Sequence, residues 1–188
     1  MSNFTDFFPA PGGGGGGGGI PKYEEFITSG TFTPSQALID AGGRVSYMIV
    51  AGGYSSGDIN SAAGEGGEAL LGYATLTSTN SCTVIIGAGG VNAGAGTNSS
   101  VSFSAAGGTD ITAVSGGQKT SNSWTASQNA NNNGYGASAG NGIFGYGAGG
   151  GMLSYAGGGI RGAKPNTGQG NIYNQPAASG FVRITWFE

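Results

Sequence analysis

Glycine is the residue that most constrains the fold of this chain, because it occupies 43 of the 188 positions. It is densest in residues 134–162, where almost every second residue is glycine or alanine. Each glycine gives up more conformational freedom on folding than any other residue. The chain nevertheless has apolar anchors, with nine phenylalanines, eight tyrosines and two tryptophans, and only 8% of its residues are charged. Disordered chains are typically charged and poor in aromatic residues, so we predict a folded, glycine-rich protein.

Charge and side-chain chemistry exclude several classes of function. A net charge of -3 with only six lysines and arginines does not provide the basic surface that nucleic-acid binding requires. The absence of histidine excludes histidine-based catalytic triads and metal sites, and we expect neither a metal nor another cofactor. Cys82, the single cysteine, cannot form an internal disulfide. Its position in the apolar run 82–86 predicts a buried, unreactive thiol.

No segment approaches the ~18 consecutive apolar residues of a membrane-spanning helix. The N-terminal residues also lack the basic and then apolar pattern of a secretion signal. We therefore expect a protein that is made in the cytosol and is not inserted into a membrane.

Residues 1–22 are predicted to be a segment distinct from the domain in residues 23–188. Phe4, Phe7 and Phe8 lie in a short peptide, and residues 12–19 are eight consecutive glycines, a linker expected to span roughly 15 Å. Exposed phenylalanines that are tethered in this way favour a peptide that docks into a groove of a partner. The alternative is a frayed terminus without a role.

The domain in residues 23–188 is predicted to be all-β, an antiparallel sandwich or a barrel-like domain. β-prone residues, apolar runs and turn residues predict strands at 24–28, 30–33, 44–50, 68–76, 82–86, 100–104, 110–114 and 181–187. We expect 68–76 and 82–86 to form a hairpin around the turn at residues 77–80. Val101 and Phe103 should share one buried face, and Trp186 should lie in the core. No segment has a convincing apolar period of about 3.6 residues, so helix should be scarce.

Three glycine-rich stretches, 52–67, 87–96 and 134–162, separate the predicted strands. Connections of this length are usually functional or disordered. If ordered, they are either plain loops or polyglycine-II-like layers, in which extended segments without side chains lie side by side and pair their backbone groups.

The order of short motifs resembles the glycine-rich domain of bacteriophage tail fibres and adhesins. The similar motifs are residues 26–33 (FITSGTFT), Ala51-Gly52-Gly53, residues 66–69 (GGEA), residues 82–90 (CTVIIGAGG) and residues 180–186 (GFVRITW). The likeness covers roughly residues 23–188, and its specificity depends on the order of the motifs. The chain departs from the family pattern at residues 54–60, where YSSGDIN replaces a glycine run.

The resemblance implies a non-enzymatic virion protein, often a homotrimer, which would be synthesised in the host cytoplasm and located in the tail or a surface fibre. Its glycine-rich loops would lie at a distal tip and contact a host surface glycan or an outer-membrane protein. The N-terminal peptide would anchor the chain to other virion proteins. Homotrimer formation also has a physical motive, because a glycine-rich chain buries little side-chain area and gains from shared interfaces.

Aromatic residues among glycine, asparagine and serine are the candidates for receptor contact, since antibody contact loops have a similar composition. These candidates are Trp124, Tyr135, Phe144, Tyr146 and Tyr155. Alternatively, most of these rings pack against glycine backbone inside the domain.

Two other functions stay open at this point. The first is a capsid or neck decoration protein, or a fibre protein, without a receptor. The second is a polysaccharide-cleaving enzyme that uses a carboxylate pair, either Glu65 with Glu68 or Asp58 with Glu65. Against this enzyme, acidic residues beside glycines in loops are usually solvated charges.

Overall fold

The structure, a computed structural model, describes residues 19–55, 62–64, 66–92, 94–115, 118–120 and 176–188. Its strands are β1 (Pro21–Phe26), β2 (Gly30–Phe32), β3 (Arg44–Val50), β4 (Ala62–Gly64), β5 (Ala69–Thr75), β6 (Cys82–Ile85), β7 (Ser99–Val101), β8 (Ile111–Ala113), β9 (Gln118–Thr120) and β10 (Phe181–Phe187). Helix in these residues is confined to α1 (Gln36–Asp40) and a 3-10 helix at Phe103–Ala106. The predictions of an all-β fold and of scarce helix are confirmed for the described residues.

The strands form two four-stranded sheets and one two-stranded ladder, and every pairing is antiparallel. Sheet A has the order β1-β10-β3-β5, sheet B has the order β2-β6-β7-β8, and β4 pairs with β9. Both four-stranded sheets contribute to one hydrophobic core. The two sheets therefore bury their apolar faces against each other, which is how antiparallel sheets with one apolar face are stabilised.

Alternation along the central strand β3 determines which residues face this core. Val45, Tyr47 and Ile49 belong to the shared core, whereas Met48 and Val50 belong to a second cluster with Ala69 and Phe181. Successive side chains of a strand point to opposite faces of the sheet. Because β3 is buried on both faces, its apolar run is almost continuous.

Aromatic contacts connect the parts of the core. Phe32 of sheet B packs edge-on against Trp186 of sheet A, with ring centroids 5.4 Å apart. Trp186 is only half-buried, although it packs on the core as expected. Tyr47 packs on Phe103 at 5.8 Å and also covers Gly72, its cross-strand partner on β5. An alanine Cβ at Gly72 would lie 2.6 Å from the Cζ of Tyr47. The Tyr47 ring can therefore occupy this position only because residue 72 is a glycine.

The predicted hairpin between 68–76 and 82–86 is wrong. β5 pairs with β3 in sheet A, whereas β6 pairs with β2 and β7 in sheet B. The chain changes sheets at Leu76, whose backbone N–H donates to the Gly43 carbonyl while its side chain is buried. Both strands direct apolar residues to the same core, and alternation does not reveal whether two such strands belong to one sheet or to facing sheets.

The predicted strand 100–104 is shorter in the structure, where β7 ends at Val101 and the 3-10 helix begins at Phe103. Val101 and Phe103 are nevertheless both buried, as predicted. The first strand begins at Pro21, three residues before the predicted strand 24–28, and ends at Phe26.

Candidate functional site

A group of side-chain-poor segments lies at one end of both sheets, and we call it the glycine layer. It consists of residues 51–55, 66–68, 87–90, 94–98 and 176–180. Segments 51–55, 66–68, 94–98 and 176–180 directly adjoin β3, β5, β7 and β10 respectively, and segment 87–90 follows β6 after one residue, Ile86. The antiparallel registers bring these strand ends together, with Val50 opposite both Phe181 and Ala69.

Backbone hydrogen bonds hold the glycine layer together, and segment 51–55 lies at its centre. Ala51 N–H donates to the Glu68 carbonyl at 3.0 Å, Gly52 N–H to Thr97 at 3.0 Å, and Gly53 N–H to Ala178 at 3.1 Å. Ser55 N–H then donates to Gly94 at 3.0 Å, returning to the segment that Gly52 contacts. Gly52 and Ser55, which are three residues apart, thus donate to the same segment, whereas the side-chain directions of a β-strand alternate with a period of two.

The outer segments of the layer also bond to one another. Residues 87–90 accept from Thr97 N–H at 2.9 Å and from Ala177 N–H at 2.9 Å, and Gly180 N–H donates to Gly87 at 2.8 Å. Gly90 N–H closes the arrangement by donating to the Gly53 carbonyl at 2.8 Å. Buried backbone groups need such partners, and the layer provides them without forming a regular sheet.

Several glycines of the glycine layer have no space for a side chain. A Cβ at Gly52 would lie 2.6 Å from the carbonyl carbon of Ala88, and a Cβ at Gly89 would lie 2.5 Å from that of Ala177. Real Cβ atoms essentially never approach other atoms closer than 3.0 Å. The same crowding against backbone occurs at Gly67, Gly87, Gly90, Gly96 and Gly180. The segments can therefore approach this closely only because their side chains are absent.

Two strands outside the main sheets lie between described parts of the glycine layer along the chain. β4 lies between Ser55 and Gly66, and β9 lies between β8 and Pro176. β4 and β9 pair with each other.

The opposite end of sheet A holds Ile20 and Glu188. Ile20 and Glu188 exchange two backbone hydrogen bonds, of 2.6 and 3.2 Å. β10 has seven residues, from Phe181 beside the layer to Phe187 beside Glu188, so the two ends are roughly 20 Å apart at the rise of an extended strand. Ile20 therefore lies at the end of sheet A opposite the glycine layer.

The Glu188 carboxylate connects three side chains at this end of sheet A. It accepts hydrogen bonds from Lys22 Nζ, from Ser35 Oγ and from Trp186 Nε1, the last at 3.0 Å. Hydrogen bonding from Lys22, followed by that from Ser35 and Trp186, lowers the pKa of Glu188 to about 2. Ser35 also caps α1, because its Oγ accepts from Leu38 N–H at 3.0 Å.

Two side chains considered for chemistry, Cys82 and Glu68, lie within the described residues. Cys82 is fully buried, as predicted, and desolvation raises the pKa of its thiol, which disfavours the nucleophilic thiolate. The Glu68 carboxylate accepts a hydrogen bond from Val114 N–H at 2.9 Å. Within the residues that the structure describes, no three Cys, Asp or Glu side chains approach one another as a metal site requires.

The anchoring and receptor-contact residues predicted from the sequence all lie outside the described residues. This applies to the proposed anchoring residues Phe4, Phe7 and Phe8, and to the receptor-contact candidates Trp124, Tyr135, Phe144, Tyr146 and Tyr155. Asp58 and Glu65 of the carboxylate pairs also lie outside them. Sequence reasoning did not identify the contacts of Glu188, because its partners are distant along the chain and no local pattern relates them.

None of the helices in the described ranges combines the length and the apolar character needed to cross a bilayer. Comparison of the chain with protein-family models, with curated proteins and with solved structures finds no match.

Proposed function

We propose that this chain is a bacteriophage virion structural protein, a tail fibre or receptor-binding tip that attaches to the host surface and has no enzymatic activity. The observation that carries the proposal is the bipolar arrangement of sheet A. Ile20 lies beside Glu188 at one end, and the glycine layer lies at the other end, roughly 20 Å away. An anchor at one end and contact loops at the other is the arrangement that a display protein needs.

The glycine layer supports a polyglycine-II-like interpretation of the glycine-rich sequence. A polyproline-II helix has about three residues per turn, which matches the repeat that relates the hydrogen bonds of Gly52 and Ser55. We propose that the stretch 134–162 extends this packing and presents its aromatic residues to a host glycan or an outer-membrane protein. The domain in residues 23–188 would act as a homotrimer in a sandwich or barrel-like form.

The anchor is tested by replacing Phe4, Phe7 and Phe8 with serine and measuring incorporation into particles. We expect the triple variant to fold but to be lost from particles, because the apolar side chains that fill the partner's groove are gone. Thr5→Ala, in the same peptide, is the matched control and should be incorporated normally. Normal incorporation of the triple variant would refute an anchoring role for the phenylalanines.

The contact function is tested by replacing Trp124, Tyr135, Phe144, Tyr146 and Tyr155 with serine together. Particles carrying this variant should assemble normally but adsorb to host cells at a strongly reduced rate. Ile85→Ser is the control, because Ile85 is a 47% exposed apolar residue of sheet B that is not among the contact candidates. Normal adsorption, together with microscopy that places the chain on the capsid or neck, would favour a decoration protein instead.

A further inference from the structure

β1 is an outer strand of sheet A whose free edge can pair with another chain. It has six residues, whereas the outer strands β2 and β8 of sheet B have three each. Among the residues that the structure describes, β10 is the only strand that pairs with β1. A long outer strand is a template for pairing, and charged residues and proline restrict which chain can pair with it. The β1 sequence PKYEEF contains both.

Hydrogen bonding to β10 determines which backbone groups of β1 face its open edge. Ile20 and Glu188 exchange two backbone hydrogen bonds, so the N–H and C=O of Ile20 point towards β10. These directions alternate along an antiparallel strand. The N–H and C=O groups of Tyr23 and Glu25 therefore point away from β10. The Pro21 carbonyl also points away from β10, whereas proline has no N–H to donate.

The charged side chains of β1 are not all compensated within the chain. Lys22 forms an ion pair with Glu188, and Glu25 forms one with Arg183. The Glu24 carboxylate makes no ion pair or hydrogen bond within the described part of the chain, and Glu24 is half-buried. Desolvation by this burial raises the pKa of the Glu24 carboxyl group. A cation from another chain would therefore stabilise the charged form of Glu24.

We propose that β1 of one copy of this chain pairs antiparallel with β1 of a second copy, with Tyr23 at the two-fold axis. The two copies of sheet A then form one continuous sheet, the joined sheet. The Tyr23 residues of the two copies exchange both backbone hydrogen bonds. Glu25 N–H of each copy donates to the Pro21 carbonyl of the other. Lys22 of each copy lies opposite Glu24 of the other, on the same face of the joined sheet, and provides the missing cation.

Charge selects this register over its neighbours. A two-fold axis at Lys22, at Glu24 or at Glu25 would place that charged residue directly opposite its own copy, which is destabilising. An axis at Tyr23 avoids this contact. The Lys22 ammonium group has three N–H donors, so it can hold Glu188 of its own chain and the Glu24 carboxylate of the second copy at the same time.

The pairing also covers apolar surface near the axis. Tyr23 is 67% exposed, and its ring lies beside the Tyr23 ring of the second copy on one face of the joined sheet. On the other face, Ile20, which is 68% exposed, lies opposite Phe26 of the second copy. Because each copy uses the same strand, the contact closes on itself and stops at two chains.

This pairing does not depend on the proposed function. A two-fold axis across β1 turns the second copy end for end, so the glycine layers lie at opposite ends of the dimer. A display tip needs them at one end. The dimer is therefore a form of the chain outside the particle, and it separates before the tip is assembled. In the dimer, the long edge of β1 is protected from pairing with other chains.

Charge exchange in the full-length chain tests the pairing. Glu24→Lys alone would place lysines opposite each other at both contacts, and Lys22→Glu alone would place glutamates opposite each other. In each case the dimer dissociation constant should rise roughly tenfold to a hundredfold, because two favourable pairs become repulsive. An equimolar mixture of the two variants is complementary at both contacts and should form heterodimers. Asp110→Lys, an exposed position beside β8 with the same change of charge, is the control and should dimerise normally. Sedimentation equilibrium measures each dissociation constant.

Oxidation of Tyr23→Cys tests the register. Residues in a hydrogen-bonded antiparallel pair have Cα atoms about 5.5 Å apart, within the range of about 4.4–6.8 Å that a disulfide requires. The oxidised variant should run as two chains on a denaturing gel. Ile27→Cys is the matched control, because Ile27 directly follows β1 and is 55% exposed. Its two copies would be roughly 26 Å apart along the strands, so this variant should run as one chain.

A wild-type chain that stays monomeric at high micromolar concentration would overturn the pairing. A mixture of folded Glu24→Lys and Lys22→Glu chains that forms no heterodimer would also overturn it, as would wild-type dimerisation of both single variants. Thermal unfolding shows whether each variant is folded, and the Tyr23→Cys result decides if one is not. Covalent dimers of Ile27→Cys without those of Tyr23→Cys would refute the register. Adsorption of particles to host cells is measured separately, so failure of the pairing and failure of the receptor-binding function remain distinguishable.

Discussion

Replacement of Gly89 by alanine tests whether the glycine layer is held together by the close approach of bare backbone. The added Cβ would lie 2.5 Å from the carbonyl carbon of Ala177, whereas ordinary contacts begin at 3.4 Å. Residues 87–90 and 176–180 must therefore separate by about 1 Å. Two hydrogen bonds join these segments, Ala177 N–H to Gly90 at 2.9 Å and Gly180 N–H to Gly87 at 2.8 Å. A shift of this size takes them beyond the range of a hydrogen bond.

The expected cost follows from those two bonds. A buried backbone group that loses its hydrogen-bond partner destabilises the folded state by about 1–3 kcal/mol. Alanine also has less conformational freedom than glycine in the unfolded chain, which stabilises the protein by ~0.4–1 kcal/mol. We expect Gly89→Ala to lower the free energy of unfolding by about 2–4 kcal/mol. The melting temperature should fall by roughly 4–16 °C, at ~2–4 °C per kcal/mol for a chain of this length. Urea and thermal unfolding followed by tryptophan fluorescence measure both quantities.

Two matched glycine substitutions make the comparison quantitative. Gly30→Ala in β2 places its Cβ 3.4 Å from the Phe26 ring, an ordinary contact, and should change stability by less than ~1 kcal/mol. In Gly94→Ala, the added Cβ would lie 2.7 Å from the Val91 carbonyl oxygen, and every other atom would be at least 3.8 Å away. The loss of stability in this variant should lie between those of the other two. If Gly89→Ala proved as stable as Gly30→Ala, the explanation by steric contact would be refuted. If Gly89→Ala does not fold, Gly94→Ala must still be less stable than Gly30→Ala.

Three further predictions concern the rest of the domain. Because the pKa of Glu188 is lowered to about 2 from 4.5, its contribution to stability is present above pH ~4.5 and is lost as the pH falls towards 2. Glu188→Gln should therefore remove this part of the pH dependence of the urea midpoint. Identical curves of urea midpoint against pH for the two proteins would contradict this. Gly72→Ala should destabilise the domain by about 1–3 kcal/mol through overpacking against the Tyr47 ring. In a double-mutant cycle, Gly72→Ala should destabilise the Tyr47→Val protein much less than the wild type. Additive effects of the two substitutions would exclude the contact as the cause. Cys82 should resist alkylation by iodoacetamide at pH 8 in the native protein, because the thiol is fully buried and its pKa is raised. Mass spectrometry should detect alkylation only in urea. Rapid alkylation of the native protein would show that the thiol is accessible.

Local sequence patterns were sufficient to predict the positions of the main strands. The runs 44–50 and 181–187 were predicted with the bounds of β3 and β10, because their β-prone apolar residues are bounded by glycine or polar residues. The burial of Cys82 also followed from its apolar neighbours. The glycine content by itself indicated that backbone packing would matter, although it did not distinguish plain loops from a layer.

Only the tertiary structure decided how these parts are combined. It separated β5 and β6 into facing sheets, because two amphipathic strands can cover a core from one sheet or from two. It also brought Glu188 to Lys22 and Ser35, and residues 51–55 to residues 94–98 and 176–180. These contacts depend on the folded path of the chain, and a glycine backbone carries no side-chain pattern that identifies its neighbour. The sequence alone therefore predicted a folded, glycine-rich β protein, and the fold determined which of the described glycine segments pack together.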